Sequence, residues 1–524
     1  MSDLMNKICA LFPSSFRASG LIAALMFLIC LAAAESASAA TYTVINTNDS
    51  GAGSLRAAII SANSTADNDT INFAIPASSC SVCTITLTSG ELAVNSASTA
   101  GTLTITNTTG ASNLRISGNG TSRIFAVNPG GNLTISGVTI TNGGTTLGGS
   151  ISGSGGGIFN SAGTVALTNS TVSSNRAISG GGIYNIQGTL TLTNSTVSGN
   201  YGGAYGGGIY NIAGGTVALT NSTVSGNLAD NSGGGIYNIQ GGITLTNSTV
   251  SGNTAIFVAG GIFNDDGTLN LTSVTVTKNI AAAACTICDS GITNSNSGTA
   301  NLNNTIVAGN ITSNTSASPD FSGAVSSTSS YNIIGNNRGT TGITNGTNGN
   351  QVGTPASPID PRLAPLADNG GATQTHALLS DSPAIDKGSS FGLTTDQRGL
   401  ARPLDNVTIP NAAGGDGADI GAFEAHLAPT AATVSISGRV MTASGRGIRN
   451  VRLILTDTNG QIRTATTTSF GYYRFDDVPA GETYILSAIG KRYTFSQPVQ
   501  VLNISEETDG VNFIADSKES IKDF

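Results

Sequence analysis

Charge is scarce in this chain. Asp, Glu, Lys and Arg make up 10% of its 524 residues, against about 25% in ordinary globular domains. Tryptophan is absent and histidine occurs twice. Long apolar runs are missing too. Beyond the N-terminus none reaches the roughly 18 residues a spanning helix needs, and mean hydropathy is only +0.10. Low charge therefore does not signal a membrane-helix protein. The net charge is −8, and no basic stripe exists to neutralise phosphates, which excludes a nucleic-acid partner. Disorder is excluded for a different reason. It needs high charge or no apolar pattern, and here Val, Ile and Leu recur regularly.

Gly (69 residues), Ser, Thr and Asn fill the composition instead. All four are poor in helix interiors. A Gly-rich, polar, repetitive β protein remains, long enough for two or three domains.

The N-terminus reads as a targeting segment. Lys7 and Arg17 give a positive start, Leu21 to Ala34 a short apolar core, and Ala37-Ser38-Ala39 a small-residue cleavage site. Residues 1–39 are thus expected to be a removed signal peptide, leaving an exported chain with no transmembrane segment. Cys9 and Cys30 leave with it. Cys80 and Cys83 remain in CSVC, Cys285 and Cys288 in CTIC. Two such pairs can form a Cys₄ zinc site or redox motifs. No βαβ pattern surrounds them, and in an exported protein local disulfides are the expectation.

The middle of the chain repeats. GGGIFN ends at Asn160, GGGIYN at Asn185, Asn211 and Asn238, and GGIFN at Asn264, with spacings of 25, 26, 27 and 26. A second block runs in phase: LTNSTVSSN from Leu167, LTNSTVSGN from Leu192, Leu219 and Leu245. A period near 26 is too short for a propeller blade. Each unit holds three β-like pieces ending in Asn, a residue that tolerates the left-handed backbone of a sharp corner. The expected fold is all-β, a right-handed parallel β-helix of about 26 residues per coil. Period-2 alternation turns Ile183, Leu190, Leu192 and Val197 inward, and Thr189, Thr191 and Thr193 outward. Ile158, Ile183, Ile209, Ile236 and Ile262 then form one inner column. Stacked corners would give two Asn ladders: Asn169, Asn194, Asn221 and Asn247, and Asn175, Asn200, Asn227 and Asn253.

GGGIFN and GGGIYN resemble the repeats of polymorphic outer-membrane proteins and other exported right-handed β-helix surface proteins. The block VINTNDSGAGSLRAAIISAN, then DTINFAIP, resembles the start of the same group. It reads as a strand, a cap helix from Ser54 to Asn63 and a strand. LAPLADNGGATQTHALLSDSPAIDKG, TTDQRGLARP and GADIGAFE resemble the segment called choice-of-anchor Q. The resemblance implies fold and export, with little chemistry. Residues 40–100 are expected to be the cap and first coils, 101–345 the β-helix and 346–427 the Q-like segment closing it.

After a linker at 428–432 the composition shifts. Residues 433–524 carry 20 of the chain's 22 basic and 30 acidic residues taken together. Alternating runs such as SISGRVMTASGRGIRNVRLILTD predict about seven short strands, a small β-sandwich over 433–516 with a tail at 517–524. It resembles the carboxypeptidase regulatory-like, or prealbumin-like, domain, an accessory module without a peptidase site.

Chemistry is sparse. Gly131 to Asn310 holds Arg176, Asp230, Asp265, Asp266, Lys278 and Asp289 as its charged residues. A polysaccharide lyase needs a base and clustered acids for Ca²⁺, and a hydrolase needs two spaced carboxylates. Asp265-Asp266 is the one adjacent pair and reads as a solvated turn. Neither His376 nor His426 has a Ser or Cys constellation near it in sequence. Asp396, Asp416, Asp419 and Glu424 could hold calcium, or cap their own turns. The resulting expectation names no catalytic, cofactor or metal residue. It is an exported, cell-surface, outer-membrane or secreted protein with a structural or adhesive role toward glycans or a cell surface. A β-helix polysaccharide lyase or hydrolase is the alternative.

Overall fold

The computed structural model describes residues 39–518 apart from 77, 96–100, 111, 145, 148–149, 152, 283–288, 313–317, 427–432, 458–460, 481 and 505–506. The expected signal peptide, but for Ala39, and Cys285 and Cys288 lie outside the described residues. The chain is all-β, with 3% helix, and divides into a β-solenoid of about 10 turns and a C-terminal β-sandwich. Of the described residues, those up to 405 and 409–424 belong to the first compact unit, and 406–408 with those from 425 onward to the second.

In the solenoid each apolar strand pairs in parallel with its counterpart one coil on. Ile183 lies beside Ile209, Leu190 beside Val217 and Val197 beside Val224. Ile158, Ile183, Ile209, Ile236 and Ile262 are all 0% exposed. The coil has four strands where the repeat suggests three. Ile183–Ile186, Thr189–Thr193 and Thr196–Ser198 are followed by Tyr201–Tyr205. That fourth series pairs Arg176 with Tyr201, Leu228, Thr254, Ile280 and Ile311 in turn. Its sequence does not repeat, because pairing between coils uses the backbone and leaves the outward side chains free to vary.

The corners also differ from the sequence reading. Asn169, Asn194, Asn221 and Asn247 do take the left-handed backbone, with φ between 45° and 51°. They form no side-chain ladder with one another. Asn175, Asn200, Asn227 and Asn253 are buried, and each donates Nδ2 to the Oδ1 of the next at 2.9 Å. The series runs on through Asn279 and Asn310 and ends on Asp320, whose Oδ1 accepts from Asn310. Burial pushes the Asp320 carboxyl up to about 6, against three hydrogen bonds that favour its charge. A further ladder joins Asn160, Asn185, Asn211, Asn238, Asn264 and Asn294 at 2.6–2.7 Å. In both ladders the left-handed residue is a neighbour, such as Gly199 or Gln187. Asn is selected there for a side chain that both donates and accepts. A buried amide left unpaired costs about 1–3 kcal/mol.

A helix, Leu55–Ala62, covers the first coils. Ser54 caps it by accepting from the Ala57 amide at 3.2 Å, and Leu55, Ala58, Ile59 and Ala62 are buried. Nearby, Cys80 and Cys83 form a disulfide. It closes a separation of 3 residues, so chain entropy limits its contribution to about 2 kcal/mol. Cys80→Ser should therefore lower the melting temperature by only a few degrees, and alkylation before reduction should leave Cys80 and Cys83 unlabelled in the mature chain.

The segment after the last coils does more than close the end. Gln351–Val352 pairs with Ile333–Ile334. The chain then doubles back along one flank, over the coils from Asn221 to Asn304. There it hydrogen-bonds the hydroxyls of Thr223, Thr249, Ser251 and Thr275 on the TVS strands.

The sandwich packs a three-stranded sheet, Tyr472–Pro479, Thr433–Thr442 and Phe513–Ala515, against four strands. These are Ile462–Thr466, Arg452–Thr456, Glu482–Ile489 and Val499–Ile504. Its core holds Ile436, Val440, Leu453, Leu455, Tyr473, Phe475, Leu486 and Phe513.

Candidate binding site

The solenoid carries two hydroxyl faces, and the fold treats them differently. On the TVS face, Thr223, Thr249 and Thr275 are buried beneath the returning segment. The Thr223 hydroxyl donates to the Gln374 carbonyl at 2.7 Å and that of Thr249 to Gln397 Oε1 at 2.6 Å. Thr275 Oγ1 accepts from the Ala422 amide at 3.0 Å. One hydroxyl per coil thus holds a point of the returning segment.

The adjoining TLTLT face stays open. Thr164, Thr189, Thr216, Thr268 and Thr299 are exposed and in register, interrupted by Gly242. Thr168, Thr193, Thr220, Thr246 and Thr272 form a parallel column. Between them lies a mixed one, Ala166, Thr191, Ala218, Thr244, Asn270 and Asn301. Coils spaced about 4.8 Å apart set the repeat of this flat, uncharged array.

A third outward row is aromatic, and the sequence reading passed over it. Phe159, Tyr184, Tyr210, Tyr237 and Phe263 stack with centroids 5.4, 5.0, 5.2 and 4.9 Å apart. The signal was present as the Phe or Tyr after each repeated Ile. The rings stack on one another, and Tyr210 and Tyr237 are buried with Tyr205 packed against both. Burial pushes the Tyr210 phenol up to about 12. This row stabilises coils and offers no open platform to a sugar.

The charged residues of the coils are mostly spoken for. Asp230 accepts from the Tyr201 hydroxyl, and Arg176 lies 5.4 Å over the Tyr201 ring. Asp265 accepts from the Asn296 amide, and Asp266 from the Ser297 N–H at 2.9 Å. Asp289 accepts from the Thr293 hydroxyl at 3.2 Å, and burial pushes it up to about 6. Lys278 occupies a left-handed corner, φ 57°, where the neighbouring coils have Gly226, Gly252 and Gly309.

His376 meets Ser251, 125 residues away in sequence. Its Nδ1 lies 2.7 Å from the Ala364 carbonyl, which can only accept, so Nδ1 carries the proton. The Ser251 hydroxyl then donates to Nε2 at 2.7 Å. Burial and Lys278 hold the imidazole below its ordinary pKa. Both side chains are buried, Ser251 and His376 at 3%. They sit at the base of a shallow cleft of about 570 Å³ with Ser225, Lys278, Leu363 and Leu366. The pair pins the returning segment to the coils. His426 is exposed.

The four acids considered for calcium are engaged by other partners. Asp396 pairs with Arg398 at 2.7 Å and Glu424 with Arg402 at 2.8 Å. Asp416 accepts from Ser390, and Asp419 from the Asp386 amide at 2.8 Å. Among the described residues no three His, Cys, Asp or Glu side chains gather as a metal site would require.

Residues 435–513 match the carboxypeptidase regulatory-like domain family, so the second unit carries that domain at the C-terminal end of the chain. Among solved structures, the chain is similar to the crystal structure of pectate lyase Pel9A. The identity is 15% and the TM-score 0.42, over 74% of this chain and 97% of that one. No curated protein matches the chain.

Proposed function

We propose that this is an exported, surface-associated protein whose solenoid binds hydroxyl-rich glycans through its open TLTLT face without cleaving them. One observation carries the reading. On the neighbouring face, hydroxyls one coil apart already hydrogen-bond polar groups of another stretch of chain, the protein's own residues 373–422. The open face offers the same spacing to an outside chain. Each contact is weak, about 1 kcal/mol net, and repetition over several coils supplies the affinity. Ser, Thr and Asn do not change protonation near neutral pH. They cannot supply the general acid and base worth about 10²–10⁴-fold each to bond cleavage. The acids of the coils are engaged in corners and ring contacts.

The test is retention of the mature chain on uncharged insoluble glycans and on native cells. Thr191→Arg with Thr244→Arg places two bulky cations on the face and should weaken retention about tenfold, the equivalent of 1.4 kcal/mol, with an unchanged melting temperature. Incubation with neutral and acidic polysaccharides should yield neither ultraviolet-absorbing unsaturated products nor new reducing ends. Either product would overturn the binding reading in favour of a lyase or hydrolase.

A further inference from the structure

The sandwich reverses the charge of the rest of the protein at one place. Its loops enclose a cleft of about 1100 Å³ whose lining includes Arg446, Arg449, Lys491 and Arg492, with Asp516 as its one carboxylate. The whole chain has a net charge of −8. All four cations are exposed, and among the described residues none forms an ion pair.

Two tight turns put them there. Thr442 accepts the Arg446 N–H on its hydroxyl at 3.2 Å and donates its own N–H to the Arg446 carbonyl at 2.9 Å. Gly490 and Tyr493 face each other across a bridge, leaving Lys491 and Arg492 at the tip. Four like charges gathered in one cleft repel one another, and an unneutralised cluster raises the local concentration of an anionic partner. Thr442, Ser444, Ser469 and Asn450 also line the cleft, adding hydroxyl and amide groups between the cations.

From this we infer a second binding site, in the sandwich, for an acidic glycan. Guanidinium and ammonium groups take its carboxylates or sulfates, and the hydroxyls and amide take its sugar hydroxyls. Arg is suited to the planar, two-toothed capture of such oxyanions. The cluster is compact, where a nucleic-acid track would extend along the backbone, and Tyr493 is the one aromatic lining it. Base stacking on aromatic rings is the usual support for single strands. This site is independent of the TLTLT face, which carries no charge.

The experiment uses the full mature chain. Its probes are a heparin-derived octasaccharide and an oligogalacturonate, compared with uncharged dextran and a single-stranded oligonucleotide of matched charge. Wild type should bind both acidic oligosaccharides at low salt and neither comparator comparably. Arg446→Gln with Arg449→Gln, and separately Lys491→Gln with Arg492→Gln, should each weaken that binding at least tenfold. Each pair should also lower the slope of log affinity against log salt by roughly one to two. Melting temperature should not change, because all four side chains are exposed. The Thr191→Arg, Thr244→Arg variant should bind the acidic probes no more weakly than wild type, which separates this site from the solenoid face. Wild-type affinity in both double variants would overturn the inference. So would an oligonucleotide bound as tightly as the oligosaccharides, or no binding of either acidic probe at low salt.

Discussion

Ile209→Asp is expected to destroy the cooperative melting of the solenoid. Ile209 is 0% exposed, between Ile183 and Ile236, each beside it in register. An aspartate there finds apolar columns on both sides and no cation within the core. Burying an unpaired carboxylate costs several kcal/mol at least. In a solenoid each coil leans only on its neighbours, so a break at one coil uncouples the coils before it from those after it. Circular dichroism should show a lowered, broadened or two-step transition. Ile209→Val, which removes one methyl, should cost about 0.5–1.5 kcal/mol and keep a single transition. An unchanged melting temperature for the aspartate variant would refute the coil register.

Arg402→Met should give the next largest loss. Arg402 Nε lies 2.8 Å from Glu424 Oε2, and both side chains are 0% exposed. Glu424 also accepts the N–H of Leu404 at 2.7 Å and of Asp419 at 3.0 Å, and Arg402 reaches Asn247 Oδ1 at 3.3 Å. The pair therefore ties the returning segment to itself and to a coil corner. Burial raises the Glu424 pKa, and Arg402 works against that rise. Without the guanidinium, a buried carboxylate stands uncompensated, at a cost of about 3–5 kcal/mol. The sign of the pH dependence follows. Removing Arg402 raises the folded pKa of Glu424 further above its unfolded value. The penalty is full above that folded pKa and shrinks as pH falls through it. The variant should thus recover part of its stability between pH 7.5 and pH 5. Arg402→Met with Glu424→Gln should be less damaged than Arg402→Met alone. Hydrogen exchange should quicken mainly over residues 374–424. Equal loss at both pH values would sink the account.

The sequence by itself determined the solenoid. A period of 25–27 residues with Ile, Leu and Val in fixed phase leaves one way to bury them, and in-register stacking follows. The alternating Thr–Leu–Thr–Leu pieces likewise decided which side chains face water, because a strand has a period of two. The disulfide at CSVC and the sandwich core are equally local matters. Other features depend on non-repeating segments and on contacts between distant parts of the chain. The fourth strand of each coil lies in sequence that does not repeat, since its bonds are backbone to backbone. The role of each Asn depended on which way the corner turned. Asn221 supplies a backbone angle and Asn227 supplies an amide, though both close a similar short motif. Ser251 and His376 are 125 residues apart, and no spacing rule links them. Arg446 and Lys491 meet over one cleft because two turns end on the same side of the sandwich. Most of all, the identical-looking hydroxyl faces part company in three dimensions. Thr249 is buried under a turn of the returning segment, and Thr244, five residues earlier, is left in water. A periodic sequence specifies what each coil presents, and the fold of the aperiodic segment decides which of those surfaces stays free to bind.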